Sequence, residues 1–435
     1  MNSRLLKDYA KTRLSVAGYC VNSNLPTSLC GSSLSTRSRL AIMPSKLSKP
    51  LSLLALLTLI PIGLTSCATE AEPETPDTTD TGASEQQPEP EPEPEPVYVQ
   101  APLSGISYLE DSNPFLEGPA LTAKIDNYPP ARPQTGIGSA DIVYVQRVEG
   151  GITRFVSIWH SSIPDTFGPL RSIRPMDPNI VSPYDGVFAY SGGQDPFVFA
   201  SLETDLYNAY EDSEVGAETL FRNEGIGKPY EHTLYGRGTL LIETHSELPA
   251  PTPHLNYIDL ENRSELSTAN GTEFDYFEIT YEEATSRWDV GSGEFSFDTQ
   301  GMALPTGEMS VQTGLLRTQD EEIMVDERTG VQIAAKNLIV MNTTLDFSFK
   351  DPKYGSVPET VLLTQGDGWA FSDGKYIEIL WSKESRTDHI QFTTLDGDPL
   401  KLLPGPTWIE FRDIGNSNEA GMDIYPKPEP VEPTE

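Results

Sequence analysis

Short apolar and β-branched runs, joined by turns crowded with glycine, proline and ionisable residues, make up most of this chain beyond residue 98. Residues 123–127 follow Leu121 as a short strand that stops at Asn127, because Pro129 and Pro130 donate nothing to a sheet ladder. Residues 140–147 are rich in Ile, Val and Tyr; Glu149, Gly150 and Gly151 break the run and residues 152–159 resume it, which predicts a hairpin with a glycine turn. Residues 186–191 (GVFAYS) read as a buried strand closed by Gly192 and Gly193. Asp195 and Pro196 then open a helix predicted to run to about residue 210, and residues 236–248 form a second one.

From Phe274 onward the texture changes to short strands at fairly even spacing: FDYFEITY, GEFSF, NLIVMN, ETVLLT, GWAFSDG, YIEILW, IQFTTLDGDP and WIEF, with SDGK and LDGDP as tight hairpin turns. The pattern therefore predicts an α/β (α+β) N-terminal domain with a mixed sheet over residues 99–255, a polar linker over 256–272, a smaller mostly-β domain over 273–425 and a short tail, 426–435.

Upstream the pattern is of another kind. Residues 1–42 carry Lys, Arg, Ser and Thr with no sustained apolar period, and read as a start codon assigned too far upstream or as a tail. Residues 43–66 have the layout of a secretory signal: Lys46 and Lys49 supply the basic start, residues 51–64 the apolar stretch, and Leu64-Thr65-Ser66-Cys67 the cleavage site. The 14 residues of that stretch, interrupted by Pro61 and Gly63, fall short of the roughly 20 needed to span a bilayer. Cys67 is thus the expected lipidation site. Residues 67–98 are an acidic stalk with the run PEPEPEPEP, which favours extended polyproline geometry and buries no core.

Composition narrows the partners. The three cysteines are Cys20, Cys30 and Cys67, so removal of the leader leaves one thiol, already committed to lipid, and no disulfide. The formal net charge is −35; eight of the 30 Lys and Arg but one of the 65 Asp and Glu precede Cys67, so the mature chain stands near −42. Such a surface repels nucleic acid and anionic headgroups, which excludes a nucleic-acid partner and leaves the lipid to do the anchoring.

Candidate chemistry concentrates between residues 121 and 175. Asp126 sits at a strand end, Glu149 and Arg154 flank the glycine turn, and Arg171 and Arg174 follow in GPLRSIRP. Three guanidiniums in a chain so short of positive charge fork onto carboxylate or phosphate, either inside the protein or on a ligand. Asp126, Glu149 and Asp185 also lie where the paired carboxylates of a glycan hydrolase would lie. The histidines, His160, His232, His245, His254 and His389, show no metal-ligand spacing, and the acids of LDGDP lack the terminal Glu of a calcium loop. There is no G-x-S-x-G elbow, no phosphate-loop motif and no thiol nucleophile. No metal or cofactor is expected.

The runs IDNYPPARPQTGIGSADIVYVQRVEGGITRF and GPLRSIRP, continued by YDGVFAYSGG and KPYEHTLYG, resemble the signature of the YerB-like bacterial lipoproteins. Where that family has a Pro-His-Asn-Leu type run, this chain departs from it, with Tyr230 and Glu231 before His232; His232 is kept as a candidate ligand-binding residue. TQGDGWAFSDGKYIEILWSKES and GDPLKLLPGPTWIEF are similar to the family's second domain. The resemblance implies paired domains of unknown function and a lipoprotein address, and brings no catalytic residue with it. The expectation is a membrane-anchored extracytoplasmic protein that binds an envelope protein or cell-wall ligand through Asp126, Glu149, Arg154, Arg171, Arg174 and His232. The alternative is a cell-wall hydrolase working through a carboxylate acid/base pair.

Overall fold

Strand Leu121–Asp126 (β1) sets the architecture. Its alternation sends Leu121, Ala123 and Ile125 to one face of a sheet and Thr122, Lys124 and Asp126 to the other, yet all six are buried, so the sheet is covered on both sides. The computed structural model describes residues 95–353, 355–415 and 420–428. The stretches assigned to the upstream tail, the signal peptide, Cys67 and all but the end of the stalk lie outside the described residues, as do residues 429–435 of the C-terminal tail.

After β1 come β2 (Ile142–Arg147), β3 (Thr153–Trp159), β4 (Val187–Tyr190) and β5 (Tyr207–Tyr210), with helices α1 (Asp177–Val181) and α2 (Asp195–Leu202) before and after β4. Helix α3 (Glu214–Thr219) and α4 (Gly238–Thr244) follow, then β6 (Thr272–Glu273), β7 (Tyr276–Thr280), β8 (Thr285–Phe295), β9 (Ser310–Gln319), β10 (Asn337–Thr343), β11 (Gln365–Ser372), β12 (Lys375–Ser382), β13 (Gln391–Thr394), β14 (Thr407–Asp413) and β15 (Gly421–Tyr425). The described chain is mostly strand, its helices are few and short, and its largest sheet is mixed.

That sheet has eleven strands in the order β6-β12-β11-β10-β14-β2-β3-β1-β4-β5, with β13 beside β12. Both sequence regions supply it. They meet where β14 runs parallel to β2, with Trp408 opposite Val143 and Ile409 opposite Tyr144. Arg147 at the end of β2 pairs with Asp413 at the end of β14 (2.9 Å). A second antiparallel sheet, β9-β8-β7-β15, covers one face: Phe277, Ile279, Trp288 and Leu315 pack with Leu121, Val143, Phe155, Leu338 and Trp408. Loops and the helices α1 and α2 cover the other, where Met176, Ile180, Tyr184 and Phe197 meet Tyr144, Val156, Ile339 and Phe411.

The predicted hairpin 140–159 is β2 and β3, in register from Ile142 opposite Ile158 to Arg147 opposite Thr153. The SDGK turn joins β11 to β12 with positive φ at Asp373 (52°) and Gly374 (72°), the pairing of conformations that matches the twist of a two-residue hairpin. Other elements differ from expectation. The helix predicted from Asp195 to about residue 210 ends at Leu202, and Tyr207–Tyr210 is β5 instead, because its backbone completes the sheet alongside β4. The second predicted helix is shorter, with Leu234–Arg237 forming a strand before it. The segment 256–272 holds a parallel pair of Asn256–Tyr257 with Lys401–Leu402, and its last residue opens β6 of the large sheet.

Candidate functional site

The face of β1 that carries Lys124 and Asp126 looks toward α1 and the loops, and the antiparallel register sets Asp126 opposite Arg154 on β3, which in turn lies opposite Gln146 on β2. One row of polar side chains thus crosses three strands at the end of the sheet. The GPLRSIRP segment runs over this row: the Asp126 amide donates to Pro169 O (2.9 Å) and the Arg171 amide to Lys124 O (2.9 Å), while Ser191 and Gly192 of the YSGG loop hydrogen-bond to Arg171 and Ile173. These backbone contacts bring Arg171 and Arg174 above Asp126 and Arg154.

The acids are engaged. Asp126, fully buried, accepts from the Tyr128 amide (3.1 Å) and from His232 Nδ1 (2.8 Å), and pairs with Arg171 Nε (3.2 Å). Burial alone would push its carboxyl up, but the His232 hydrogen bond and the Arg154 and Arg171 charges outweigh that and hold it below the usual carboxylate range. Glu149 receives Arg174 Nε (2.6 Å), and there too Arg174 overrides burial and lowers the carboxyl. Because Asp126 is an anion it must be the acceptor, so His232 donates through Nδ1–H, and Nε2 makes no hydrogen bond to any of the described residues.

The three guanidiniums differ. Arg171 adds a bond from Nη1 to Glu231 O (2.8 Å), and Arg174 Nη1 reaches Ile173 O (2.9 Å) and Ser172 O (3.2 Å). Arg154 is 7 % exposed and, among the described residues, makes no ion pair; its one side-chain hydrogen bond there runs from Nη1 to Ser172 O (3.0 Å), and its buried Nε has no partner among them. Burial first, then repulsion from Arg174 and Arg171 against the pull of Asp126, lowers its pKa to about 9. Beneath it, Lys124 is fully buried on Asp177 (2.8 Å), which also accepts from Gln146 Nε2 (2.6 Å) and the Arg174 amide (2.6 Å). Burial, opposed by Asp177, brings the Lys124 ammonium down to about 8.

Asp126, Glu149, Arg154, Arg171, Arg174 and His232 are therefore gathered at one place. Asp185 is not: it turns the chain before β4 with φ 49°, and its neighbouring charge is Asp205. His160 bonds Gly118 O, His245 packs on Tyr207, and His254 stacks on His389, all away from the cluster. Among the described residues no group of three or more His, Cys, Asp or Glu is placed to hold a metal ion. Sequence reading overlooked Lys124, Gln146 and Asp177, although a period of two places Lys124 and Asp126 on one face. It also overlooked a second buried charge pair on the opposite face, where Arg317 Nη1 meets Glu410 (2.6 Å) between the rings of Trp288 and Trp408.

Residues 104–249, which contain the whole cluster, match the Protein of unknown function (DUF3048) N-terminal domain, and residues 310–409 match its C-terminal domain. The chain belongs to this family. It is 24 % identical over 326 residues to the Bacillus subtilis (strain 168) protein named "Putative lipoprotein YerB", an alignment covering 72 % of this chain and 86 % of that protein. The crystal structure of the Bacillus subtilis YerB protein superposes with a TM-score of 0.56 at 22 % identity, over 75 % of this chain and 99 % of the other, which is a likeness of fold. No helix among the described residues is long and apolar enough to cross a membrane.

Proposed function

We propose that this DUF3048 protein is a lipid-anchored extracytoplasmic binding protein that takes an anionic ligand at the Arg154, Arg171 and Arg174 cluster. The observation that carries the reading is Arg154, a guanidinium nine-tenths buried whose only side-chain hydrogen bond among the described residues is to a backbone carbonyl. Burying a cation without a counter-charge is costly, and a forked guanidinium is the side chain best suited to a carboxylate or phosphate that supplies one. Arg171 and Arg174 flank it, each held by one acid with donors to spare. The run ending at Cys67 and the lipoprotein name of the Bacillus subtilis relative support the anchor and the envelope location.

Glycan hydrolysis fits less well. A glycosidase needs one carboxylic acid kept protonated, whereas Asp126 and Glu149 are both held below their ordinary range by arginines. Thermal unfolding in sulfate tests the binding reading: the melting temperature rises with sulfate in the wild type and stays flat in an Arg171→Ala, Arg174→Ala double variant. Equal responses in both, or none in the wild type, contradict it. For the anchor, Cys67→Ala moves the protein from the membrane fraction to the medium or an unprocessed precursor.

A further inference from the structure

We infer that His232 is the proton-carrying contact of this site, so that a tetrahedral oxyanion of the sulfate or phosphate type binds together with a proton. The inference rests on the anion-binding reading above and adds the chemistry of the ligand to it. Four observations converge. The imidazole is aimed: Asp126 takes Nδ1–H at 2.8 Å, Tyr128 stacks on the ring at 5.7 Å between centroids, and the short turn Tyr230–His232 fixes the backbone through His232 N–H to Pro229 O (2.8 Å). Its Nε2 makes no hydrogen bond to any of the described residues. The same Asp126 carboxylate holds Arg171, whose Nη1 in turn holds Glu231 O, the carbonyl just before His232, so imidazole and guanidinium are positioned by one group.

The fourth observation is the charge balance. Lys124, Arg154, Arg171 and Arg174 face Asp126, Glu149 and Asp177 across the cluster, one positive charge in excess. A dianion entering this largely buried place overshoots that excess by one. A proton on His232 restores neutrality and turns Nε2 into a donor toward the ligand, which is the cheaper arrangement where water is scarce. The groups around the imidazole are Asp126 on β1, Arg154 on β3, Arg171 on the crossing segment, Tyr128 in the turn after β1, and Tyr230 and Glu231 of its own turn.

Calorimetry on the full-length protein in detergent, with sulfate as the probe, tests this. Sulfate stays a dianion between about pH 5.5 and pH 7.5, so any pH dependence in that window belongs to the protein. The wild type is expected to bind about tenfold more tightly at the acid end, the size of one charge-assisted hydrogen bond. Heats measured in buffers of different ionisation enthalpy should report proton uptake on binding. His232→Gln keeps an amide donor for Asp126 and should bind sulfate weakly, with no pH dependence and no uptake. Wild-type binding that is flat with pH, or an unchanged pH dependence in His232→Gln, overturns the inference and leaves the anion site standing. No sulfate binding at any pH overturns both. Glycerol 1-phosphate and inorganic phosphate titrated alongside separate an esterified phosphate from a free one: whichever binds more tightly names the source, and either supports the inference when the His232 dependence holds.

Discussion

Arg154 and Arg317 are both buried guanidiniums, and their surroundings assign them opposite effects on stability. Arg317 has no solvent exposure, pairs with Glu410 at 2.6 Å, donates from Nη2 to Gln319 (2.8 Å) and lies against Phe155, Trp288 and Trp408. Glu410 also receives Tyr281, Ser286 and Trp288, so Arg317→Met leaves a buried carboxylate without its counter-charge and should destabilise the protein by about 3–5 kcal/mol. Arg154 has no such partner among the described residues, and Arg154→Met should stabilise the ligand-free protein by about 1 kcal/mol, the scale of an unsatisfied buried donor. Denaturant midpoints measure both. A strongly destabilised Arg154→Met would make that residue structural. Arg154 was legible in the sequence because it follows a diglycine turn in a stretch dense with charge. Arg317 was not, because SVQTGLLRTQ alternates polar residues and glycine and announces neither its strand nor the tryptophans that flank it in space.

At the scale of elements, strands with β-branched residues ending at proline or glycine were readable, and those that owe their existence to partners were not. The run 285–295 pairs with Tyr276–Thr280 on one side and Ser310–Gln319 on the other, and of it only the GEFSF end looked strand-like in isolation. The same holds for contacts between loops. His254 and His389 come from distant segments and stack with centroids 3.8 Å apart and planes at 9°, with Tyr184 edge-on to both. Burial lowers both imidazoles, aided by the charge of His389 on His254 and of Lys383 on both; His254 lies well below its ordinary value and His389 at about 4. The unfolded chain therefore binds protons that the folded pair refuses. Stability contributed here is complete above the unfolded value of 6.5, falls as pH drops from 6.5 toward about 4, and from His389 falls no further below that. The loss from His389 is at most about 3 kcal/mol. His389→Gln should flatten the pH dependence of the denaturant midpoint within that window; an unchanged slope would mean that another group is responsible for it.

For the whole molecule, the large sheet is the deciding feature. Sequence texture suggested two domains with a divide at residues 256–272, while the strands place β10, β11, β12 and β14 in one ladder with β1 to β5. The turn after β1 that supports the candidate site is itself held from the C-terminal region, by Arg132 on Asp320 (2.6 Å) and Asn127 on Gln319 (3.2 Å). The residues beyond 95 should then unfold in one calorimetric transition, and two separate transitions would favour independent domains. A shared sheet also keeps the guanidinium cluster preformed, which a site for a small anion requires. Crystals soaked in selenate, a tetrahedral dianion visible by its anomalous scattering, examine that cluster directly. An anomalous peak is expected within hydrogen-bond distance of Arg154 Nε, between Arg171 and Arg174 and in reach of His232 Nε2. A map with no peak there, and with Arg171 and Arg174 unmoved on Asp126 and Glu149, would contradict it.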